Sequence, residues 1–217
     1  LIDDFLGKEN VDTKYVYRYS DGKTAISLAM LNENSDAQYS FYKILPEKRL
    51  DIEIPEIDKD DILIFGSYFA ISREIRQKIT EILYHARKRG ALIFYDPNFR
   101  KVHMEQLIDL KSYIIENISI SDIVRGSDDD FRNIFNSHNS EEAYECVSTA
   151  GCSNLIYTEN KQGVLLHTKN IKLKFKVPQV DVVSTIGAGD SFNAGIVSSF
   201  YDQKISRRAI ENLSKET

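Results

Sequence analysis

The chain of 217 residues sets 28 Lys and Arg against 33 Asp and Glu, and the net charge of -5 is mixed along its length. No basic face builds up, which argues against a nucleic-acid or membrane partner, and no apolar run is long enough to span a bilayer. The two cysteines, Cys146 and Cys152, come with no metal-ligand spacing, so a reduced, cytoplasmic setting is the expectation.

Leu1 to Asn10 reads as the tail of a helix. Thr24 to Leu31 and Gln38 to Lys43 flank the polar turn Asn32-Glu33-Asn34-Ser35-Asp36, the pattern of a β-hairpin. Tyr39 and Phe41 give the ribbon more aromatic surface than solvent exposure needs, which suits either a cross-strand packing face or a flap over a ligand. From Asp61 the pattern changes. Ile62 to Phe65 is a continuous apolar run, as in a strand covered on both faces. Ser72 is the expected cap of a helix whose face is Ile75, Ile79, Ile82, Leu83 and Ala86, and Gly90 closes it. Ala91 to Tyr95 is the next strand, completing a βαβ unit with a right-handed crossover.

Further on, Leu107 to Ile115 reads as a helix and Ile123-Val124 as a short strand. Ser127 and Asp130 form a capping-box pattern for a helix to Phe135, and Ser140 is the expected cap of a helix ending near Gly151. Asn154 to Thr158 reads as a strand, Gly163 to His167 and Ile171 to Val177 as a strand pair. A helix runs from near Gly189 to Tyr201, and Ser206 caps one more. The β-rich start and alternating remainder suggest a small β-lid, about 11–52, attached to an α/β core, 53–217, in a single three-layer domain. Both ends read as cut, and a full length of about 300 residues is expected.

The stretch that carries chemistry is Asp181-Val182-Val183-Ser184-Thr185-Ile186-Gly187-Ala188-Gly189-Asp190-Ser191-Phe192-Asn193-Ala194-Gly195. Small residues at a helix start let backbone N–H groups approach an anion, and the helix dipole adds positive potential there. A carboxylate beside such a cradle is out of place unless its task is to take a proton. Asp190 is therefore the candidate general base for a hydroxyl attacking phosphorus, with Gly187, Ala188 and Gly189 stabilising charge on the transferred group. The plain alternative is an Asp favoured by the dipole of a first helical turn.

Gly187 to Gly195 resembles the second signature of the ribokinase-like (PfkB) carbohydrate kinases. Asp96-Pro97-Asn98-Phe99-Arg100 and Gly66-Ser67-Tyr68 resemble segments of the fructokinase-like branch. The resemblance implies a doubly wound, mostly parallel α/β sheet with a β-lid, and phosphoryl transfer from ATP to a sugar hydroxyl. It implies substrate contacts from Arg100, Asp96 and Asn98, with Tyr39 and Phe41 closing over the sugar. It implies nucleotide contacts from Ser127, Thr158, Gly163 and Asn193, and magnesium carried with ATP and met through water by Asp130. For Asp96 and Asn98 a bare turn, and for Asp130 a helix cap, are the competing readings.

Ser184 stands where many members have Asp, which speaks against potassium activation. Asn160 replaces a glycine of the nucleotide-side turn, a position where Asn tolerates left-handed geometry. The family's amino-terminal Gly-Gly substrate segment and the carboxy-terminal helices of its adenine site are not in the sequence. Partners implied are a sugar and ATP, and the lid edge offers a route to a homodimer. Within the family a nucleoside or sugar-acid kinase is the alternative, and a non-catalytic sugar-binding regulator stands beside it. A Rossmann oxidoreductase would need glycine at 192, where Phe192 stands.

Overall fold

The computed structural model describes residues 2–31, 37–46, 48–178, 180–181 and 184–211, so the expected hairpin turn Asn32 to Asp36 lies outside the described residues. The chain divides into two units, residues 1–56 with 182–186, and residues 57–181 with 187–217.

In the first unit, helix α1 (Ile2–Lys8) is followed by strands β1 (Lys23–Leu31) and β2 (Ala37–Ile44), which pair antiparallel with Ile26 opposite Tyr42 and Leu28 opposite Ser40. The hairpin is as the sequence predicts. Ile26, Leu28, Met30, Tyr42 and Ile44 are all exposed on it. Arg18 grips Asp3 with a two-pronged contact, Nε to Oδ2 at 3.0 Å and Nη2 to Oδ1 at 2.9 Å.

The second unit runs β3 (Ile62–Gly66), α2 (Arg76–Arg89), β4 (Leu92–Asp96), α3 (Leu107–Ile120), β5 (Ile123–Ser127), α4 (Asp128–Phe135), α5 (Ser140–Thr149), β6 (Leu155–Thr158), β7 (Val164–His167), β8 (Lys172–Phe175), α6 (Ala188–Asp202) and α7 (Arg207–Glu211). Among the described residues six strands form one sheet in the order β3-β4-β5-β6-β7-β8. The first four are parallel and the last two antiparallel additions. Tyr95, Val124, Leu155 and Tyr157 meet Ile114, Ile118, Phe131, Ile134 and Val147 of α3, α4 and α5 on one face. Leu92, Phe94, Ile123 and Ile156 meet Phe192, Ile196 and Phe200 of α6 on the other. Helices on both faces of a mostly parallel sheet make the expected three-layer α/β architecture.

Four local readings change. Ser72 does not cap α2; its hydroxyl donates to Glu74 at 2.9 Å, and a turn of tighter helix, Arg73–Ile75, precedes Arg76. Helix α3 runs on to Ile120, because Asn117 faces inward, where Arg76 Nη1 donates to its Oδ1 at 2.6 Å. Asn139, not Ser140, caps α5, its Oδ1 accepting from the N–H of Glu142 at 2.9 Å. Strand β5 continues three residues past Val124, through Arg125.

The carboxyl ends of β3 and β4 nearly touch. A Cβ on Gly66 would lie 1.8 Å from the carbonyl oxygen of Asp96, and the N–H of Ser67 donates to that oxygen at 2.9 Å. Only glycine fits there. No helix among the described residues is long and apolar enough to cross a membrane.

Candidate active site

Successive strand residues point to opposite faces of a sheet. Phe94, Ile123 and Ile156 face α6, so Asp96, Arg125 and Thr158, two positions further along β4, β5 and β6, face it as well. The carboxyl ends of these strands thus carry a polar layer above an apolar one. Ligands of open α/β sheets bind outside that edge.

The polar layer is linked across the strand ends, with Arg125 Nε and Asn193 Oδ1 buried without a hydrogen-bond partner. Arg125 Nη1 donates to Asp96 Oδ2 at 3.0 Å and its Nη2 to Thr158 Oγ1 at 3.2 Å. Asn193 Nδ2, from α6, donates to the same Asp96 oxygen at 2.6 Å. The other oxygen, Oδ1, accepts from the N–H of Asn98 at 3.1 Å. The side chains of Arg125 and Asp96 are each 10% exposed. A buried charge pair is tolerable because each partner is hydrogen-bonded as well as neutralised. The Arg125 guanidinium also stands 5.4 Å from the Phe192 ring centre.

Helix α6 begins above this layer. Gly187 has φ 77°, the left-handed conformation that glycine adopts without steric cost. The first bond of the helix runs from the N–H of Ser191 to the carbonyl of Gly187 at 2.9 Å. The N–H groups of Ala188, Gly189 and Asp190 therefore come before the intrahelical ladder and aim out of the helix end. Gly189 and Asn193, four residues apart, share the face turned to Arg125. Asp190 is one step round the helix and is exposed. The helix start thus presents backbone N–H groups outside the ladder, with an exposed carboxylate beside them.

Residues 2–211 match the pfkB family carbohydrate kinase description. The chain belongs to this family. It is 26% identical over 207 residues to an ATP-dependent 6-phosphofructokinase of Thermoanaerobacterium thermosaccharolyticum, covering 95% of this chain but 64% of that relative. The chain thus spans just under two thirds of that relative's length. The crystal structure of aminoimidazole riboside kinase from Salmonella enterica, complexed with aminoimidazole riboside and an ATP analogue, superposes with a TM-score of 0.81 at 21% identity, covering 96% of this chain and 69% of that one. Fructokinase from Vibrio cholerae O395, in its fructose-, ADP- and calcium-bound form, gives 0.82 at 18% identity, with 92% and 66% covered.

On this PfkB chain the remaining expected site residues are placed as follows. Asp96 and Asn193 turn inward and are spent on each other and on Arg125, so neither presents its amide nitrogen or ion-paired oxygen outward. Asn98 sits at φ 40° in the turn that Asp96 holds, and Arg100 is exposed just beyond it. Asp130 is a cap: Oδ2 accepts from the N–H and hydroxyl of Ser127 at 2.8 and 2.6 Å, and Oδ1 from the N–H of Phe99 at 2.6 Å. Burial raises its pKa above the ordinary carboxylate value in spite of these bonds. Both oxygens being taken by protein donors, the capping reading describes Asp130 better than a water-borne metal contact.

Ser127 and Thr158 lie opposite each other at the ends of β5 and β6, and Gly163 closes the turn that follows Thr158, its carbonyl accepting from the N–H of Glu159 at 2.9 Å. Asn160 adopts φ 47°, the left-handed geometry expected of it. In the first unit, Phe41 is exposed with Lys43 Nζ 4.7 Å from its ring centre, and the Tyr39 side chain lies outside the described residues. There too the Ser184 hydroxyl accepts from the N–H of Ile186 at 3.2 Å. Among the described residues no group of three or more His, Cys, Asp or Glu side chains could hold a metal ion. Backbone N–H groups at a helix start suit an anion in general.

Arg125 is the site residue that the sequence leaves unmarked. A lone arginine inside an apolar strand needs a buried carboxylate, and that requirement is the signal that could have found it.

Proposed function

We propose that the full protein transfers the terminal phosphoryl group of ATP to a hydroxyl of a small, fructose-like sugar. The observation that carries this reading is the left-handed Gly187 turn, which opens α6 with unpaired N–H groups and an exposed Asp190 at its rim. The substrate oxygen bonds to phosphorus as the bond from phosphorus to the bridging oxygen of ADP breaks, and the hydroxyl proton passes to the Asp190 carboxylate. The N–H groups of the turn stabilise charge on the transferring oxygens. Magnesium would accompany the nucleotide and offset the charge of its phosphates, and no group of side chains among the described residues would hold it alone. Arg100 and Asn98 stand on the substrate side, with Asp96 holding their turn, and Thr158 and Ser127 on the nucleotide side.

A riboside acceptor is the second reading, favoured by the likeness to the Salmonella enterica enzyme. A homodimer through the exposed apolar ribbon and a cytoplasmic location complete the proposal. The test is ADP release from magnesium ATP against a panel of hexoses, sugar acids and ribosides, with Asp190→Asn as control. Release that depends on one acceptor class and on Asp190 supports the reading. A panel with no acceptor-dependent release leaves a sugar-binding regulator in its place.

A further inference from the structure

We propose that Arg125 is the positioning residue of this site, the cation that fixes the first turn of α6 and thereby aims Asp190; this rests on the kinase reading above. The strand ends on either side of β5 converge on its guanidinium, with Asp96 at 3.0 Å and Thr158 at 3.2 Å, each on a different nitrogen. A planar fork can serve both at once, where an ammonium is a single point charge. Helix α6 is tied to the same node twice. Asn193 reaches Asp96 at 2.6 Å, and Phe192 lies beside the guanidinium.

The decisive contact is at Gly189. A Cβ there would come within 3.0 Å of Arg125 Nη1 and 3.6 Å of Nη2. The guanidinium thus fills the space beneath the glycine and serves as the floor on which the cradle rests. It is held on both sides, so it cannot easily retreat. Asp190 is the next residue along the chain, and its direction follows from how that turn is seated. Arg125 is too committed to protein partners, and too buried, to act as a phosphate ligand itself.

Arg125→Lys, Arg125→Met and Thr158→Val should be examined in the full-length protein, alone and combined with Asp190→Asn. Arg125→Lys is expected to lower kcat roughly 10–100-fold, with KM for ATP and for the acceptor within about twofold, as for a base displaced by a fraction of an ångström. In the Asp190→Asn background the same change should cost less than about twofold, because a residue acting through Asp190 has nothing left to position. Amide exchange supplies a readout independent of turnover. The amides of residues 191–194, the first to be hydrogen-bonded in α6, should exchange faster in both Arg125 variants, while in Arg125→Lys, which keeps the charge, α3 and α5 keep wild-type protection.

Unchanged exchange at 191–194 overturns the proposal. So does an equal loss of kcat with and without Asp190, which would make Arg125 a direct ligand or a general stabiliser. Wild-type turnover in Asp190→Asn alone would bring down the base assignment, and the exchange result would still decide whether Arg125 seats the turn.

Discussion

Gly189 bears on a neighbour that has nowhere to go. In Gly189→Ala the added methyl meets Arg125 Nη1 at 3.0 Å, and Arg125 is pinned by Asp96 and Thr158. Either the guanidinium or the helix start must shift by a few tenths of an ångström. Turnover should fall roughly 10–100-fold, since orientation errors of that order are costly, and steady-state kinetics with saturating ATP would read it. Asp190 is a different kind of residue. Exposed, and with no side-chain role in the core, it can be changed without loss of folding. Asp190→Asn should therefore lower turnover by roughly 10²–10⁴ with little change in ATP affinity, as for loss of a general base. Calorimetric titration with ATP beside a coupled ADP assay separates the two quantities. Loss of either partner of the Asp96–Arg125 pair would instead strand a buried charge, at a cost of about 3–5 kcal/mol.

The elements show where local pattern suffices and where it fails. Apolar periodicity marked β3, α2 and β4, and the turn chemistry at Gly90 and at Ser127 with Asp130 stands in the structure as the residues suggest. Three of the four misreadings share one cause. Arg125, Asn117 and Ser140 are polar residues that a single sequence treats as edges, yet each is buried. Their partners Asp96, Arg76 and Glu141 supply what water would otherwise supply, and two of those partners are about 30 to 40 residues away in the chain. The glycine turn was legible because its chemistry is local to a few consecutive residues. The floor beneath it was not, because it is assembled from three strands. The cap of α5 offers a direct check. Asn139→Ala should cost about 1 kcal/mol of stability, the usual worth of a side-chain cap, and Ser140→Ala less than half as much; urea unfolding would rank them.

At the level of the whole molecule, buried titratable groups set opposing pH responses. His167 is 4% exposed, its Nε2 has no hydrogen-bond partner, and its ring lies against Tyr144 at 5.3 Å between centres. Burial holds its pKa below the ordinary 6.5. The unfolded chain therefore takes up this proton first, and the stability His167 allows above pH 6.5 is lost as pH falls toward the lowered folded value. Asp122 and Asp130 act in reverse. Burial raises both above 3.8, so the folded state binds their protons more tightly, and acidification within the window just above 3.8 favours folding. Melting temperatures followed from pH 7 downward should first decline, and His167→Leu should flatten that early decline without touching the acid window. The meeting of β3 and β4 has a different reach. Every single-base change of a glycine codon that leaves a sense residue other than glycine adds a side chain, and at Gly66 that side chain collides with backbone from the adjacent strand. In a saturation library this position would therefore score as intolerant under any selection, whichever acceptor was supplied. It would serve as an internal standard for loss of fold, against which losses confined to chemistry at Asp190 can be measured.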